Sequence, residues 1–442
     1  MRKNINKIIA FAIGISVMSG SVVPALAADS TQQTTTSTST ATNSQIVNGK
    51  QLLTLDEAVK EAISISEILQ LDTSKITYQD KTNDINEDLD DSKDVSGDEE
   101  DFNDDTREAN ANKARQQRDF DQDVLVQKVT KAYNNIVTSQ IKIDKAEKEL
   151  QIKNKTLSDA KLKSSLGMVT SSDLKSTELE IQNLQITQKT SENTLKDAEY
   201  SFKVLTGKDV TQYALEQDIP YEAFKIDGSI DSYLDKVIDN YLKYSEQLVK
   251  INNEYYNDKD NYITVSGNEY KISELSASGV NDLEEAAAHA KQEYDDVKNS
   301  TDPADQETIN EKKEAYDKAE SKYSNALPAR LSYLGTKLTI DENQTNLNES
   351  KKQFKDQLKT LYTNLITAED NINYIKQNIE LSNKNLSDAK LKYDLGMITE
   401  SAYNTQVLSS EDLNIQLRSQ IDTYNTLKQE IQKPWIAFSG AK

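Results

Sequence analysis

The chain has 442 residues, a net charge of −22, 36% hydrophobic and 29% charged side chains, and no cysteine. So acidic a chain is not built to bind nucleic acid, because phosphates would be repelled. Without cysteine it forms no disulfide and has no N-terminal cysteine for a lipid anchor. The low apolar fraction favours long, thin helices that bury a stripe rather than a core.

The first 50 residues predict export. Three basic residues precede an apolar run at 8–18, and Ala25 and Ala27 form a small-x-small cleavage site, which is typical of a secretory signal at 1–27. The apolar run is too short to stay in a membrane as a spanning helix, and no later segment is apolar enough to do so. Residues 28–50 are a Ser/Thr-rich linker, which is typical of a flexible tether.

A lead helix is predicted at the start of each half. The first covers 53–71, with Thr54 or Asp56 as its N-cap, and a weaker counterpart covers 231–251. Between this helix and the next pattern, the first half carries an acidic insert at 80–110. Its centre, 84–105, holds 12 acidic residues and one lysine, and we expect a solvated, disordered segment there.

The second half carries a different insert, at 260–335. Residues 262–273 alternate in polarity and turn at Ser266-Gly267-Asn268, which predicts a β-hairpin. Helical patterns on both sides of Asp302-Pro303 predict a short helical hairpin. The second half therefore contains a small α/β insert.

Two heptad stripes follow the inserts, 229 positions apart. Their residues alternate in steps of four and three, so each predicts one coiled-coil arm of roughly 60 Å at ~1.5 Å per residue. The polar members Ser139, Lys153 and Ser382 fit either a wet interior or ordinary defects that set the register. The first stripe is Leu125, Val129, Ala132, Ile136, Ser139, Ile143, Ala146, Leu150, Lys153, Leu157, Ala160 and Ser164; the second is Phe354, Leu358, Leu361, Leu365, Ala368, Ile372, Ile375, Ile379, Ser382, Leu386, Ala389 and Tyr393.

Both stripes end in nearly the same sequence. "LSDAKLKSSLGMVT" at 157–170 and "LSDAKLKYDLGMIT" at 386–399 agree at 11 of 14 positions. Gly167 and Gly396 predict left-handed helix C-caps. Thr170 and Thr399 predict the N-caps of returning helices, the first with Asp173 in a capping box and the second followed by Glu400 at the positive helix start. The chain is therefore predicted to form two long antiparallel helical hairpins in tandem.

At these glycine turns the sequence resembles the TolC-type outer-membrane efflux proteins. That family is a tandem duplication whose halves open with a helix like "LTLDEA" at 53–58, and whose hairpin tips carry a basic-aromatic-x-x-Gly pattern. The second copy here reads "KYDLG" at 392–396, whereas the first reads "KSSLG" at 163–167 and lacks the aromatic residue. "SFKVLTG" at 201–207 resembles the end of the family's first half. The resemblance covers roughly 53–431 and identifies the repeats as 51–210 and 211–442.

The resemblance implies an all-α fold of the TolC-like α-barrel type, in which tandem coiled-coil hairpins from a homotrimer form a tube of twelve helices. It implies that the tube passes exported substrates, and that its tips meet a periplasmic adaptor of an export pump. The adaptor-contact residues would be Lys163, Leu166, Gly167, Thr170 and Asp173 at the first tip, with Lys392, Tyr393, Leu395, Gly396 and Thr399 at the second.

One departure from the family concerns the membrane. The family places two transmembrane β-strands in each half, where this chain has its inserts. The charges of 84–105 would face lipid, and 262–273 is short and polar, so membrane insertion is not expected. The expected location is the cell envelope. The resemblance implies the outer membrane; in a host without an outer membrane, it would be the cell wall or the exterior.

No pattern predicts catalysis, a cofactor or a metal site. His289 is the only histidine and cysteine is absent, which excludes the usual zinc ligand sets. The acidic run does not match the D-x-[DN]-x-[DN]-G calcium loop, and nothing places two carboxylates in an apolar pocket. Trp435 near the C-terminus predicts an anchor against a neighbouring helix.

Two functions remain open at this point. The first is an oligomeric export duct that contacts an adaptor through its tips. The second is a secreted coiled-coil protein with a structural or adhesive role and no channel. The near-identity of the tips exceeds what capping requires and favours the first, whereas the missing membrane strands favour the second.

Overall fold

The computed structural model describes residues 46–47, 49–300 and 306–438. The predicted signal at 1–27, most of the linker at 28–50 and the turn at Asp302-Pro303 lie outside these residues. Within them, long helices dominate and the strands are short. The elements of the first half are β1 (Ile46–Val47), β2 (Lys50–Leu53), α1 (Leu55–Ile65), α2 (Glu67–Ser92), α3 (Asp98–Ser165), α4 (Ser171–Thr206), a 3-10 turn (Val210–Gln212) and β3 (Tyr213–Leu215). The second half contains α5 (Ile230–Asn257), β4 (Tyr262–Val265), β5 (Asn268–Lys271), α6 (Ala277–Lys298), α7 (Gln306–Asp394), α8 (Glu400–Gln432) and α9 (Pro434–Phe438).

The long helices lie side by side in a row. In the half of the row that contains the glycine turns, α4 packs on α3, α3 on α8 and α8 on α7. In the other half, α2 packs on α3, α3 on α5 and α5 on α7. In the half with the glycine turns the row therefore has α7 at one edge and α4 at the other; in the other half α6 packs on α7, and α2 lies at the opposite edge.

Both predicted heptad stripes are confirmed. No member of either stripe is exposed, and Val129, Leu358, Leu365 and Ile372 are among those that are fully enclosed. The polar member Lys153 is satisfied across the first hairpin by Glu180, 2.8 Å away. Burying these stripes drives the arms together at about 25 cal/mol per Å² of apolar surface.

The acidic insert is helical, so the prediction of disorder was wrong. α2 continues through it to Ser92, and α3 begins at Asp98, where four acidic residues occupy the positive end of the helix. Arg107 of α3 pairs with Asp90 of α2 at 2.6 Å, and Phe102 stacks on Tyr255 of α5 with ring centroids 4.1 Å apart. These two anchors hold the acidic helices against the row, which the charge pattern alone did not indicate.

The insert of the second half combines a confirmed and a corrected prediction. β4 and β5 form the predicted hairpin, and Ser266 and Gly267 have the positive φ angles, 54° and 80°, of a type I′ turn. α6 and the start of α7 form the predicted helical hairpin. However, α7 is one helix of 89 residues that passes through Pro328 into the long arm. The insert and the arm are therefore one continuous helix rather than separate pieces.

The predicted lead helix of the first half is two helices in the structure. Ser66 has an extended backbone (ψ 110°) and caps α2, so the predicted helix at 53–71 becomes α1 and the start of α2. The second lead helix remains continuous in α5. Thr54, one of the two predicted caps, forms a complete capping box with Glu57.

A small sheet and a crossover segment join the two halves. β3 lies parallel to β2, so the end of the first half returns to its start. Residues 216–228 then cross to α5 without regular structure, and side chains of α3 and α8 satisfy their backbone groups. The contacts are Tyr133 with the Glu216 N–H (2.6 Å), Arg418 with the Gln217 carbonyl, Asn425 with the Pro220 carbonyl (2.8 Å), Lys428 with the Glu222 carbonyl (3.3 Å) and Tyr424 with the Phe224 N–H (2.6 Å).

The C-terminal helix confirms the predicted anchor. Trp435 stacks on Phe120 of α3 at 4.1 Å and donates its indole N–H to Asp123 at 3.0 Å. Stacking and burial of the ring, with its N–H satisfied, fasten α9 across α3 and α5.

Glu430 of α8 provides a pH-dependent prediction. Burial raises the pKa of its carboxyl despite Lys131 at 3.6 Å. The folded state then holds the proton more tightly than the unfolded state. The free energy of unfolding therefore falls as pH rises from the ordinary pKa of Glu to the raised pKa of Glu430. We expect Glu430→Gln to remove this loss, so that the variant gains stability relative to the parent between pH 4 and pH 7 in denaturant titrations.

Asp231 of α5 is the matched control, with the opposite sign. Hydrogen bonding to Lys359 lowers the pKa of its carboxyl, so its contribution to stability is lost as pH falls. Asp231→Asn should therefore be least stable relative to the parent near pH 7. Equal pH profiles for the two variants would contradict both assignments.

Candidate functional site

The two hairpin reversals share one backbone geometry at their glycines. Gly167 and Gly396 have φ angles of 71° and 70°. At the first reversal the Met168 N–H donates to the Lys163 carbonyl at 2.9 Å, and at the second the Met397 N–H donates to the Lys392 carbonyl at 2.8 Å. Together with the glycine N–H bonds to residues three positions back, these contacts form Schellman motifs. The predicted glycine C-caps are confirmed.

The predicted N-caps are confirmed as well. Thr170 accepts from the Asp173 N–H at 3.1 Å, and Asp173 accepts from the Thr170 N–H at 3.4 Å, which completes the capping box. Thr399 accepts from the Ala402 N–H at 3.2 Å, with Glu400 in the first turn. Each reversal is therefore a short turn between two long helices, the first capped at its C-terminus and the second at its N-terminus.

Each tip exposes three large apolar side chains at equivalent positions. Leu166 and Leu395, both predicted, are 68% and 65% exposed. The sequence analysis did not include Leu162, Met168, Leu391 or Met397, which are exposed to a similar extent. The sequence repeat could have identified these residues, because all three positions are identical in the two copies and two of the four methionines of the chain stand there. Methionine at an exposed position is typical of an adaptable binding surface.

The second tip carries an aromatic pair that the first tip lacks. Tyr393 stacks on Tyr403 with ring centroids 5.4 Å apart, and the Lys390 ammonium lies 5.4 Å from the Tyr393 ring centroid. Ser164 and Leu174 occupy the equivalent positions of the first tip. The two tips therefore share their turn and apolar residues but differ on one side.

Ion pairs join the two hairpins and place both tips at the same end of the row. Lys145 and Lys148 of α3 lie 2.6 Å from Asp412 and Glu411 of α8. Lys155 pairs with Glu400, and this hydrogen bond raises the pKa of the lysine. Lys155 is twelve residues before Gly167 while Glu400 is four after Gly396, so the first tip extends about 12 Å further. Exposed pairs of this kind contribute little each, about 0–1 kcal/mol, so the hairpins are joined weakly near the tips.

The ten predicted contact residues fall into these two groups. Lys163, Leu166, Gly167, Thr170 and Asp173 are exposed at the first tip; Lys392, Leu395, Gly396 and Thr399 are exposed at the second, where Tyr393 is half-buried. The structure thus brings five residues together at each reversal, at one end of the molecule. Whether they contact a partner stays a prediction.

A glycine comparison tests the reversal geometry. Gly396→Ala should destabilise the second tip by about 1 kcal/mol, because a Cβ is strained in the left-handed region although nothing lies within 4 Å of it. Gly335, inside α7, also has open space but an ordinary helical backbone, so Gly335→Ala should stabilise its helix by about 0.5–1 kcal/mol. Hydrogen exchange at the amides of each site measures both changes; the same sign at both sites would contradict the left-handed assignment.

No other chemical centre emerges from the described part of the chain. Residues 46–47, 49–300 and 306–438 contain no group of three or more His, Asp or Glu residues that is arranged to hold a metal. In the same residues, no helix is both long and apolar enough to cross a membrane. His289 lies exposed on α6, 3.5 Å from Glu293.

Comparisons with known proteins identify the fold. No protein-family model and no curated protein sequence matches the chain. Among solved structures, the outer-membrane channel OprN is similar, with a TM-score of 0.51 and 10% identity over 86% of this chain and 90% of that chain. The Campylobacter jejuni CmeC outer-membrane channel has a TM-score of 0.50 and 11% identity, over 88% of this chain and 86% of that chain. The protein described here therefore has the fold of the TolC-type outer-membrane channels, as its tip sequences predicted.

Proposed function

We propose that this chain, which has the TolC-type fold, is an envelope component of an export system. Copies assemble into a helical duct, with three copies as the stoichiometry that the resemblance implies, and the tips contact an adaptor protein. The observation that supports this most is the apolar surface that the helix row leaves uncovered at both edges in the half that contains the tips.

α4 forms the first of these edges. Leu179, Ile186 and Tyr200 are exposed and recur at multiples of seven residues. At about 100° per residue they lie on the side nearly opposite Leu195 and Phe202, which are buried against α3. A helix with apolar stripes on opposite sides is suited to a neighbour on each side. Among the described residues α4 packs along α3, and α1 also packs on it, but Leu179, Ile186 and Tyr200 remain exposed.

α7 forms the second edge. Tyr374 and Leu381 are 65% and 58% exposed and seven residues apart, on a different side from Ile372, which is buried in the core of the second hairpin, and from Ile375, which is also buried. Pairing the α4 edge of one copy with the α7 edge of the next is a head-to-tail contact. Such contacts close into a ring when the rotation between copies permits it.

Closing the row on itself encloses a lumen along the helices, and conduction through it is passive. The tips surround one opening of this tube. Because the hairpins are joined near the tips by exposed ion pairs such as Lys148–Glu411, an adaptor bound to the exposed leucines and methionines can shift them at little energetic cost. Opening by movement of the tip hairpins is part of the proposal.

The native mass of residues 28–442 tests the assembly. We expect light scattering to give a stable trimer, with or without mild detergent. A soluble monomer with the full helix content would instead show that the edges need no neighbour. That outcome would favour the second candidate, a secreted coiled-coil protein with a structural or adhesive role.

A further inference from the structure

A cleft lies between the two inserts, which the family resemblance does not explain. One wall is the turn that joins α2 to α3, at 90–99, and the other is the β4–β5 hairpin. Tyr262, Thr264 and Glu269 share the face of the hairpin that borders the cleft, while the apolar side chains of its other face pack beside α6 and α7. The cavity has a volume of about 660 Å³, which is in the range of ~300–1,000 Å³ typical of small-molecule sites.

The walls of the cleft carry an excess of negative charge. Six of the residues that line it are acidic, and Lys93 is the one basic residue among them. Asp90 is already paired with Arg107, and Asp260 lies 3.7 Å from Lys271. The four other carboxylates, which form no ion pair within the described residues, are Asp94, Asp98, Glu99 and Glu269.

Glu99 shows that these like charges are crowded. Burial raises the pKa of its carboxyl, and the charges of Glu269 and Asp90 raise it further, against the opposing effect of Lys93. The three carboxylates stand on α3, β5 and α2, so it is the packing of the two inserts that brings them together. A cation bound among them would relieve the repulsion.

Asn261, directly before β4, provides an independent observation. It lines the cleft, is only 6% exposed, and donates its side-chain N–H to the Tyr255 carbonyl at 2.9 Å. Its Oδ1 is enclosed and accepts no hydrogen bond from the described residues. Buried acceptors without a donor are rare in native structures, and an N–H group of a ligand in the cleft would satisfy this one.

The distribution of these groups decides the class of cation. In the described part of the chain, no three carboxylates are arranged to hold one metal ion, and the cavity is much larger than such an ion. Tyr262 adds an aromatic ring to the wall, and the Lys271 ammonium already lies 5.4 Å from the centroid of this ring. Separated carboxylates, an aromatic ring and an amide oxygen suit several ammonium groups carried on one flexible chain.

We propose that the cleft binds a linear polyamine, with one ammonium group between Glu99 and Glu269 and another beside Asp98. The Asn261 Oδ1 accepts from an N–H group of the ligand, and the Tyr262 ring packs against its methylene groups. The ligand thereby links the insert of the first half to that of the second. This inference does not depend on the proposed duct, because every residue of the cleft belongs to one chain.

Isothermal titration calorimetry with spermidine at low ionic strength tests the cleft on residues 28–442. We expect saturable binding of one spermidine per chain. Glu99→Gln with Glu269→Gln should weaken it about tenfold, because two partly exposed ion pairs are lost. The matched control, Glu285→Gln with Glu314→Gln, removes the same charge from exposed positions of α6 and α7 outside the cleft. Its affinity should stay within about twofold of the parent.

Two results of this titration would overturn the proposal. Equal weakening by the two pairs of substitutions would show only a general attraction of spermidine to an acidic protein. Calcium chloride at the same ionic strength is the second probe. Binding of Ca²⁺ at least as tight as that of spermidine, and weakened by the same pair in the cleft, would assign a divalent metal site instead.

Hydrogen exchange locates the ligand on the chain. Spermidine should slow exchange at the amides of both walls, 94–99 and 262–269, in the parent but not in the variant with Glu99→Gln and Glu269→Gln. Protection confined to other parts of the chain would contradict the assignment. The ligand-free variant should unfold at no lower denaturant concentration than the parent, because it loses a repulsion, and this separates loss of binding from loss of the fold.

Discussion

Replacing Leu166 and Leu395 together by aspartate should reduce export about a hundredfold while leaving the fold intact. Both side chains are more than 60% exposed at the tips, so an aspartate there meets no core. In a partner interface, however, central apolar anchors typically contribute ~2–4 kcal/mol, and a buried unpaired carboxylate adds a further cost. The expected effect therefore belongs to the proposed contact with an adaptor rather than to stability.

The measurement needs a strain that lacks the gene. Compounds that this strain accumulates, compared with its parent, define the exported substrates, and their release is then measured after complementation with each variant. Circular dichroism and native mass should match the unaltered protein. Normal export by the double variant at normal protein levels would count heavily against the duct.

Ser165→Asp is the control for this experiment. Its counterpart in the second tip is already Asp394, so the substitution adds a negative charge beside Leu166 in a form that the repeat tolerates. Export should stay within about twofold of the parent, because exposed substitutions away from an anchor have small effects. A loss as large as that of the double variant would show that charge at the tip, not loss of the leucines, is responsible.

Tyr133→Phe should lower the free energy of unfolding by about 2–4 kcal/mol, the largest effect expected from removing a single oxygen atom. The Tyr133 hydroxyl donates to the Leu53 carbonyl at 2.7 Å and accepts from the Glu216 N–H at 2.6 Å. Burial raises its pKa to about 12, so it remains a neutral donor across the usable pH range. Its removal leaves the carbonyl of buried Leu53 and the N–H of Glu216 without their partner, at up to about 1–2 kcal/mol each.

Two other Tyr→Phe substitutions, measured in the same denaturant unfolding experiment, serve as references for Tyr133→Phe. Tyr424→Phe loses one bond, from the Phe224 N–H at 2.6 Å, and should cost about 1–2 kcal/mol. Tyr200 is exposed, so Tyr200→Phe should change stability by no more than about 0.5 kcal/mol. If Tyr133→Phe behaves like Tyr200→Phe, the hydroxyl does not hold the start of the first half to the crossover segment.

The tips were predictable from the sequence because their determinants are local. A left-handed C-cap favours glycine, an N-cap favours a short polar side chain such as threonine, and an acidic residue three positions later can close a capping box, so Gly167, Thr170 and Asp173 specify the turn within seven residues. The heptad stripes were predictable for a similar reason, since a period of 3.5 residues leaves one face to bury wherever the helix lies. Met168 and Met397 were missed because exposure, unlike capping, depends on what lies nearby.

By itself the sequence determined the two capped hairpins, the seams inside them, the β4–β5 turn and the resemblance carried by the tips. Only the tertiary structure decided the rest. The acidic segment is ordered because Arg107 and Phe102 meet partners on α2 and α5, and their positions cannot be read from a local run of charge. The order of helices in the row, and hence the edges that remain uncovered, depends on contacts such as Lys145–Asp412 between residues 267 positions apart. Periodicity shows that a helix has a face to bury, but only the packing of the whole chain decides which of its faces are left for another copy.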